Sequence, residues 1–242
     1  MSELNDTVTL VTGAGDGLGK SLALRIAGLG GTVVLLGRTV YKLESVYDEI
    51  IQAGAPQAAI YPLDLSGASA EDYHQLANAI RDEFGRLDNL IHCAATLGAQ
   101  TPLQQYPAKD WFDTLQANLS GPFFLTQSCL SLLEKSQNAS ITFTLDRKSS
   151  AYWGVYGISK SAVETMMQIL ADEQEYKRNQ DDQRRISINA VMPGPMRTHI
   201  RRRAYPGENV QSVMEPDAYV DAYLDLLLPG AKKPNGKVIT CD

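Results

Sequence analysis

The sequence is poor in cysteine, and its three cysteines follow no recognisable spacing. Cys93, Cys129 and Cys241 are odd in number and far apart, and none belongs to a pair spaced like metal ligands. The sequence therefore predicts neither a disulfide framework nor a metal site. We expect a protein of the reducing cytoplasm, because the first residues also show no basic segment followed by a long apolar one, as an export signal would.

An excess of basic residues and long apolar runs are also missing. The chain carries 22 Lys and Arg against 28 Asp and Glu, a net charge of −6. Nucleic acids and anionic membranes attract broad positive fields, so this balance argues against both as partners. With 44% hydrophobic and 21% charged residues, the composition is that of a globular protein and not of a membrane-spanning one. The basic run at 201–203 indicates a solvated face, with contact to a substrate or partner as the alternative.

Internal repeats, low-complexity tracts and linkers rich in proline or glycine are absent as well. A chain of 242 residues can bury one large core, so we expect one domain over residues 1–242 that both binds a cofactor and carries out catalysis. The charged stretch 178–185 is expected to be an exposed connection.

Short apolar segments alternate with amphipathic ones along the whole chain. Strands are predicted at 8–12, 32–36, 59–63, 89–94, 140–145, 186–191 and 237–240. Helices are predicted at 18–29, 41–52, 71–84, 110–133, 155–176 and 217–228. This alternation is typical of a Rossmann-type α/β fold, a doubly wound parallel sheet of seven strands with helices on both faces.

A glycine-rich loop, TGAGDGLG at 12–19, separates the first predicted strand from the first helix. Glycines allow close backbone approach, and the amides at a helix N-terminus attract a pyrophosphate, so the loop indicates dinucleotide binding. A tight strand-to-helix turn would by itself favour some of these glycines. The candidate cofactor residues of the loop are Gly13, Gly15, Asp16, Gly17, Leu18 and Gly19.

A tyrosine and a lysine four residues apart follow the fifth predicted strand. On a helix, Tyr156 and Lys160 project from the same face. An ammonium near a phenol favours the phenolate, so we expect the pKa of Tyr156 to fall from about 10 toward neutral pH, which would suit a general acid or base.

The T-G-x-x-x-G-x-G spacing and the Tyr-x-x-x-Lys pair resemble those of the short-chain dehydrogenases/reductases, and the resemblance extends over nearly the whole chain. It implies that Asp64 and Leu65 contact the adenine, although Asp64 could instead cap a helix. The segment H-C-A-A at 92–95 stands where the family has N-N-A-G, and P-G-x-x-x-T at 193–198 matches a family motif. The resemblance thus adds the cofactor residues Ala94, Ala95, Pro193, Gly194 and Thr198.

The second strand is followed by Gly37, Arg38 and Thr39, where NAD-preferring relatives carry an acidic residue. A guanidinium can bind a 2′-phosphate through charge-assisted hydrogen bonds, and a threonine hydroxyl can add a donor. The cofactor is therefore predicted to be NADP(H).

The resemblance also assigns catalytic roles. Tyr156 would protonate the carbonyl oxygen during hydride transfer, Lys160 would also bind the nicotinamide ribose, and Asn118 would support a relay of water and Lys160. Read on its own, Asn118 could merely bind a backbone carbonyl. At the position of the family's catalytic serine the chain has Asp146, so Ser149 or the adjacent Ser150 is expected to supply the missing hydroxyl while Asp146 pairs with Arg147 or Lys148. The alternative is that Asp146 stays at the site and is protonated by burial.

We therefore expect an NADP(H)-dependent carbonyl reductase or alcohol dehydrogenase that acts on a small carbonyl or alcohol substrate. The alternative is a non-catalytic NADP(H)-binding protein that serves as a sensor or partner protein. The resemblance further implies a homodimer or homotetramer assembled through the long fourth and fifth helices.

Overall fold

One parallel sheet dominates the computed structural model, which describes residues 3–178, 186–228 and 233–241. The strand order is β3-β2-β1-β4-β5-β6-β7, and every neighbouring pair is parallel. The strands are β1 (Val8–Thr12), β2 (Thr32–Gly37), β3 (Ala59–Pro62), β4 (Asn89–His92), β5 (Ser140–Thr144), β6 (Ser187–Met192) and β7 (Val238–Thr240). The predicted doubly wound fold of seven strands is confirmed.

The central strands are apolar on both faces because helices cover both sides of the sheet. Adjacent residues of β1 point in opposite directions, so Leu10 joins one hydrophobic cluster and Val11 joins the other. Both side chains are fully buried. The molecule therefore has one apolar core on each face of the sheet.

Helices connect the strands and cover both faces of the sheet, because parallel strands need crossover connections. They are α1 (Gly17–Gly28), α2 (Val40–Gln52), α3 (Ala70–Phe84), α4 (Ala108–Leu115), α5 (Gly121–Leu133), α6 (Gly154–Arg178), α7 (His199–Ala204) and α8 (Val220–Leu224). Short 3₁₀ helices lie at Leu103–Gln105, Val210–Ser212 and Pro216–Tyr219. No helix in the described ranges is long and apolar enough to cross a membrane.

The helix predicted at 110–133 is wrong as one continuous helix. A π-helical turn, Gln116–Ser120, separates α4 from α5. Pro122 has no N–H with which to bond the carbonyl of Asn118, and the N–H of Gly121 instead bonds the carbonyl of Gln116, five residues back. The helix is therefore locally widened at Asn118, one of the predicted site residues.

Other predicted bounds change less. The helix predicted at 217–228 is the 3₁₀ helix Pro216–Tyr219 followed by the short α8, and the strand predicted at 89–94 ends at His92. Most of the predicted exposed connection 178–185 lies outside the described residues. The strand order reverses direction between β1 and β4, and open sheets of this kind bind ligands at the carboxyl ends of the strands beside such a point.

Candidate active site

A cavity of about 850 Å³ opens at the carboxyl ends of the central strands. All the cofactor residues predicted from the sequence line it. They are Gly13, Gly15, Asp16, Gly17, Leu18, Gly19, Arg38, Thr39, Asp64, Leu65, Ala94, Ala95, Tyr156, Lys160, Pro193, Gly194 and Thr198. The catalytic candidates Asn118 and Ser149 do not. One cavity therefore joins the predicted cofactor cleft to the Tyr156 and Lys160 pair.

The glycine-rich loop turns directly from β1 into α1. Asp16 caps the helix, and its carboxylate accepts a hydrogen bond from the N–H of Gly17 at 2.8 Å. A side chain at Gly19 would place its Cβ 2.3 Å from the carbonyl oxygen of Gly13, so only glycine allows α1 to lie this close to the loop. The amides at the N-terminus of α1 thus face the cavity, as a pyrophosphate site requires.

Positive side chains follow β2. Arg38 is exposed and forms no ion pair with any residue in the described part of the chain, and Thr39 precedes α2 at the N-cap position without using its hydroxyl as a cap. Lys42, one turn into α2, lies 2.5 Å from Asp16 and also lines the cavity. The hydrogen bond from Lys42 lowers the pKa of Asp16. These groups suit the 2′-phosphate of NADP.

The ends of β1 and β4 are joined at the floor of the cleft. The hydroxyl oxygen of Thr12 accepts hydrogen bonds from the N–H groups of Cys93 and Ala94, each at 3.0 Å. Burial raises the pKa of the Cys93 thiol to about 11, so this thiol stays protonated. In the described residues, no group of three or more His, Cys, Asp and Glu side chains could hold a metal ion.

The remaining cofactor candidates come from loops. Asp64 accepts hydrogen bonds from the N–H and hydroxyl of Ser66 at 3.1 and 2.8 Å, whereas α3 is capped by Ser69. Asp64 therefore forms a local turn and does not cap the helix. Thr198 caps α7 by accepting from the N–H of Arg201 at 3.2 Å.

Tyr156 and Lys160 lie one turn apart near the start of α6, and both are buried, with exposed fractions of 5% and 7%. The hydroxyl of Tyr156 donates to Asp146 Oδ2 at 3.1 Å, and the ammonium of Lys160 donates to the carbonyl of Thr144 at 2.8 Å. Both side chains therefore contact the carboxyl end of β5 and the residues after it, which line the cavity.

The expected lowering of the Tyr156 pKa is wrong for the free protein. Burial raises the pKa of Tyr156 well above 10, and the charge and hydrogen bond of Asp146 raise it further. Burial also lowers the pKa of Lys160, against the opposing effect of Asp146. The phenol is therefore protonated in the free protein, and its proton points toward Asp146.

Asn118 is buried in the π-helical turn, behind the cavity wall. Its side-chain oxygen accepts from the N–H of Thr96 at 2.8 Å, and its nitrogen donates to the Thr96 carbonyl at 2.9 Å and to Ser159 Oγ at 3.2 Å. Asn118 thus connects the loop after β4 to α6, which agrees with the alternative that it binds backbone.

The segment between β5 and α6 places the serine candidates away from the cavity. Ser149 and Ser150 are exposed and do not line the cavity. Asp146 lies 3.3 Å from the ammonium of Lys148, as the expected pairing with a neighbouring cation requires, but it also holds the hydroxyl of Tyr156. Arg147 pairs with Glu164 of α6 instead.

Comparison with known proteins agrees with this geometry. The model of the short chain dehydrogenase family matches residues 7–209. The chain belongs to this family. The chain is 38% identical to the uncharacterized oxidoreductase YciK of Escherichia coli K12 over 236 residues, which is 96% of this chain and 90% of that protein.

Solved structures of short chain dehydrogenases superpose closely on it. One from Pseudomonas syringae has a TM-score of 0.93 and 41% identity, covering 99% of this chain and 96% of that one. One from Shigella flexneri 2a, solved in complex with NADP, has a TM-score of 0.92 and 37% identity, covering 99% and 98%. The chain is thus an oxidoreductase of the short-chain dehydrogenase family, as the sequence predicted.

Several residues of this dehydrogenase site were missed from the sequence. The sequence analysis assigns no role to Thr12 or Lys42. Trp153 lines the cavity together with Tyr205, and their ring centroids are 5.8 Å apart. The sequence carried a weak indication that Lys42 lies near the glycine-rich loop. Lys42 is in the first turn of the helix that follows β2, and such a residue can approach the start of the neighbouring helix α1.

Proposed function

We propose that the chain is an NADP(H)-dependent oxidoreductase that transfers a hydride between the nicotinamide and a small carbonyl or alcohol. The observation that carries this proposal is the shared cavity, which is lined by Arg38, the glycine-rich loop, Tyr156 and Lys160. A protein that only bound a dinucleotide would have no need of a proton-donating phenol at the carboxyl end of β5.

The residues present fit NADP(H). The amides at the start of α1 would hold the pyrophosphate, and Arg38 with Thr39 would bind the 2′-phosphate. Asp64 and Leu65 would contact the adenine, and Thr198 the nicotinamide carboxamide. The NADP complex of the Shigella flexneri relative supports this choice.

When bound, the cofactor supplies or accepts the hydride. Tyr156 gives its phenolic proton to the substrate oxygen in reduction and takes it back in oxidation. Lys160 holds the nicotinamide ribose and favours the phenolate, and Asn118 fixes the loop after β4 against α6. Trp153 and Tyr205 would line the substrate side of the cavity.

The test is a substrate panel followed at the nicotinamide absorbance band, with NADPH and NADH and with aromatic, aliphatic and acidic carbonyls. We expect reduction with NADPH, and we expect Tyr156→Phe to abolish it while NADPH still binds. Binding of NADPH without turnover of any carbonyl or alcohol would favour the non-catalytic alternative, for which Asp146 at the serine position is the supporting observation.

The wider predictions remain part of this proposal. We propose that residues 1–242 act as one domain, that the protein works in the cytoplasm and that it associates with itself. Its partner is then a small molecule, and neither nucleic acid nor membrane.

A further inference from the structure

The substrate side of the cavity needs a second hydrogen-bond donor. During reduction, negative charge develops on the substrate oxygen, and donors placed in advance stabilise it. Tyr156 provides one donor, but Asp146 is an acceptor when ionised. Ser149 and Ser150 are exposed and do not line the cavity, so neither hydroxyl is in position.

Two arginines at the rim are already engaged. Arg147 bonds Glu164 through Nε at 3.1 Å and Nη2 at 2.5 Å. Arg201 bonds both oxygens of Glu208, and its guanidinium lies 3.9 Å from the centroid of the Tyr205 ring. Both guanidiniums are thus held by carboxylates other than Asp146.

Lys160 is buried and donates to the carbonyl of Thr144 at 2.8 Å. Lys148 is a further cation that lines the cavity. Its ammonium lies 3.3 Å from Asp146 Oδ1 and 5.0 Å from the centroid of the Trp153 ring, and the side chain is 23% exposed. Across the described residues, these two groups are its partners. An ammonium has three N–H donors, so donors remain for a ligand.

The backbone of Lys148 packs against the first turn of α6, which also carries Tyr156. A Cβ at Gly157 would lie 1.9 Å from the carbonyl oxygen of Lys148, so the absence of a side chain lets residue 148 pack directly on the first turn of α6. Asp146 then holds the two donors on its two oxygens, Tyr156 on Oδ2 and Lys148 on Oδ1.

We propose that Lys148 is a catalytic residue whose ammonium donates a hydrogen bond to the substrate oxygen in place of the missing serine hydroxyl. Asp146 is a positioning residue that holds Lys148 and Tyr156 side by side. This inference rests on the proposed function. It assigns Asp146 a role that the sequence left open.

The chemistry balances without any further reactant. The hydride adds to the carbonyl carbon, the π electron pair moves to the oxygen, and the oxygen takes the phenolic proton of Tyr156. Lys148 keeps its protons and contributes only a charged hydrogen bond. Water restores the phenolic proton through Asp146, whose side chain is 38% exposed.

The test compares Lys148→Met and Lys148→Gln with Lys135→Met, which removes an exposed lysine that bonds the carbonyl of Gly85 and does not line the cavity. Benzaldehyde, butanal, cyclohexanone and pyruvate serve as probes with NADPH. We expect Lys148→Met to lower kcat by about 100-fold. Lys148→Gln, which keeps a donor, should lose less, and Lys135→Met should match the wild type. NADPH affinity should stay within about twofold in all three.

Asp146→Asn tests the positioning role. The titratable groups around the phenol are Asp146 and Lys148 from the segment after β5, Lys160 from α6, and Tyr205, which follows α7. Removing the charge of Asp146 should lower the pKa of Tyr156, so the rise of kcat with pH in alcohol oxidation should move to lower pH while kcat in reduction falls. A merely structural role would leave that pH profile in place.

Full kcat in Lys148→Met, or a loss confined to NADPH affinity, would overturn the role of Lys148. If Ser149→Ala or Ser150→Ala lost activity while Lys148→Met kept it, the second hydrogen-bond donor would be a serine hydroxyl and not Lys148. A wild-type protein that binds NADPH but converts no carbonyl or alcohol would overturn the proposed function and this inference together. By contrast, an active wild type with Lys148 variants of unchanged kcat would overturn only the role of Lys148 and would leave the proposed function in place.

Discussion

Arg38 is the single residue expected to decide between the two nicotinamide cofactors. Its guanidinium is exposed at the cavity, and within the described residues it has no carboxylate partner that would compete with a phosphate. We expect Arg38→Ala to weaken NADPH binding by about 1–3 kcal/mol and to leave NADH binding nearly unchanged, because only NADPH carries the 2′-phosphate. Fluorescence titration with both cofactors measures the difference.

Arg81→Ala is the matched control, because Arg81 pairs with Asp82 on the exposed face of α3 and does not line the cavity. It should leave both affinities at the wild-type values. Equal affinity of the wild-type protein for NADPH and NADH would contradict the assignment of Arg38.

For Tyr156 and Lys160, the local sequence pattern predicted the positions of the side chains correctly but predicted the wrong direction for the pKa of Tyr156. The four-residue spacing correctly places both side chains on one face of α6. The spacing does not report that Tyr156 is buried or that Asp146 accepts its hydrogen bond, and these raise its pKa. The shift depends on residues that come together only after β5 and α6 have packed.

At the scale of elements, the close contact between α1 and the glycine-rich loop can be tested with two glycines of the same helix. Gly19→Ala would place a methyl group 2.3 Å from the carbonyl oxygen of Gly13, a backbone atom that cannot move aside. We expect a loss of about 1–3 kcal/mol in unfolding free energy and a marked loss of NADPH affinity. Urea unfolding and cofactor titration measure the two effects.

Gly28→Ala is the control at the other end of α1, where no heavy atom lies within 4 Å of the new Cβ. Because alanine favours helix by up to about 1 kcal/mol over glycine, this variant should be neutral or more stable, with normal NADPH affinity. Similar behaviour of the two variants would contradict the close-contact argument.

The π-helical turn is the element that the sequence analysis missed, although a signal was present. Pro122 interrupts the apolar pattern at 110–133, and a proline inside a helix removes the bond to the residue four positions back. That position is Asn118. The same proline therefore breaks the helix and leaves Asn118 at the point where it can bond Thr96 and Ser159.

At the scale of the molecule, apolar side chains are exposed on α4, α5 and α6, which correspond to the two long helices through which association was predicted. Phe112 of α4, Phe123 of α5 and Ile169 of α6 are 68%, 41% and 54% exposed in the single chain. We expect light scattering to give a dimer or tetramer at micromolar concentration. Ile169→Glu should shift it toward the monomer, because association would bury an unpaired charge.

Ile51→Glu on α2 changes a residue that is 44% exposed and lies outside those helices, so it should leave the assembly intact. A wild-type monomer at micromolar concentration would contradict the predicted association. Loss of association in both variants would show that the introduced charge and not the position of Ile169 is responsible.

The sequence by itself determined the alternation of strands and helices and the glycine-rich turn. These features follow from periodicity and from backbone requirements that neighbouring residues carry. The other predicted residues that line the cavity, such as Asp64 and Thr198, were supplied by the resemblance to the family. Only the tertiary structure decided which donor stands beside Tyr156, because Lys148 reaches the site through contacts with Asp146, Trp153 and Gly157. The sequence placed the hydroxyl on Ser149, but the packing of that segment on α6 turns Ser149 to the solvent. Side-chain direction in an irregular segment depends on what the segment packs against, and no local pattern encodes it.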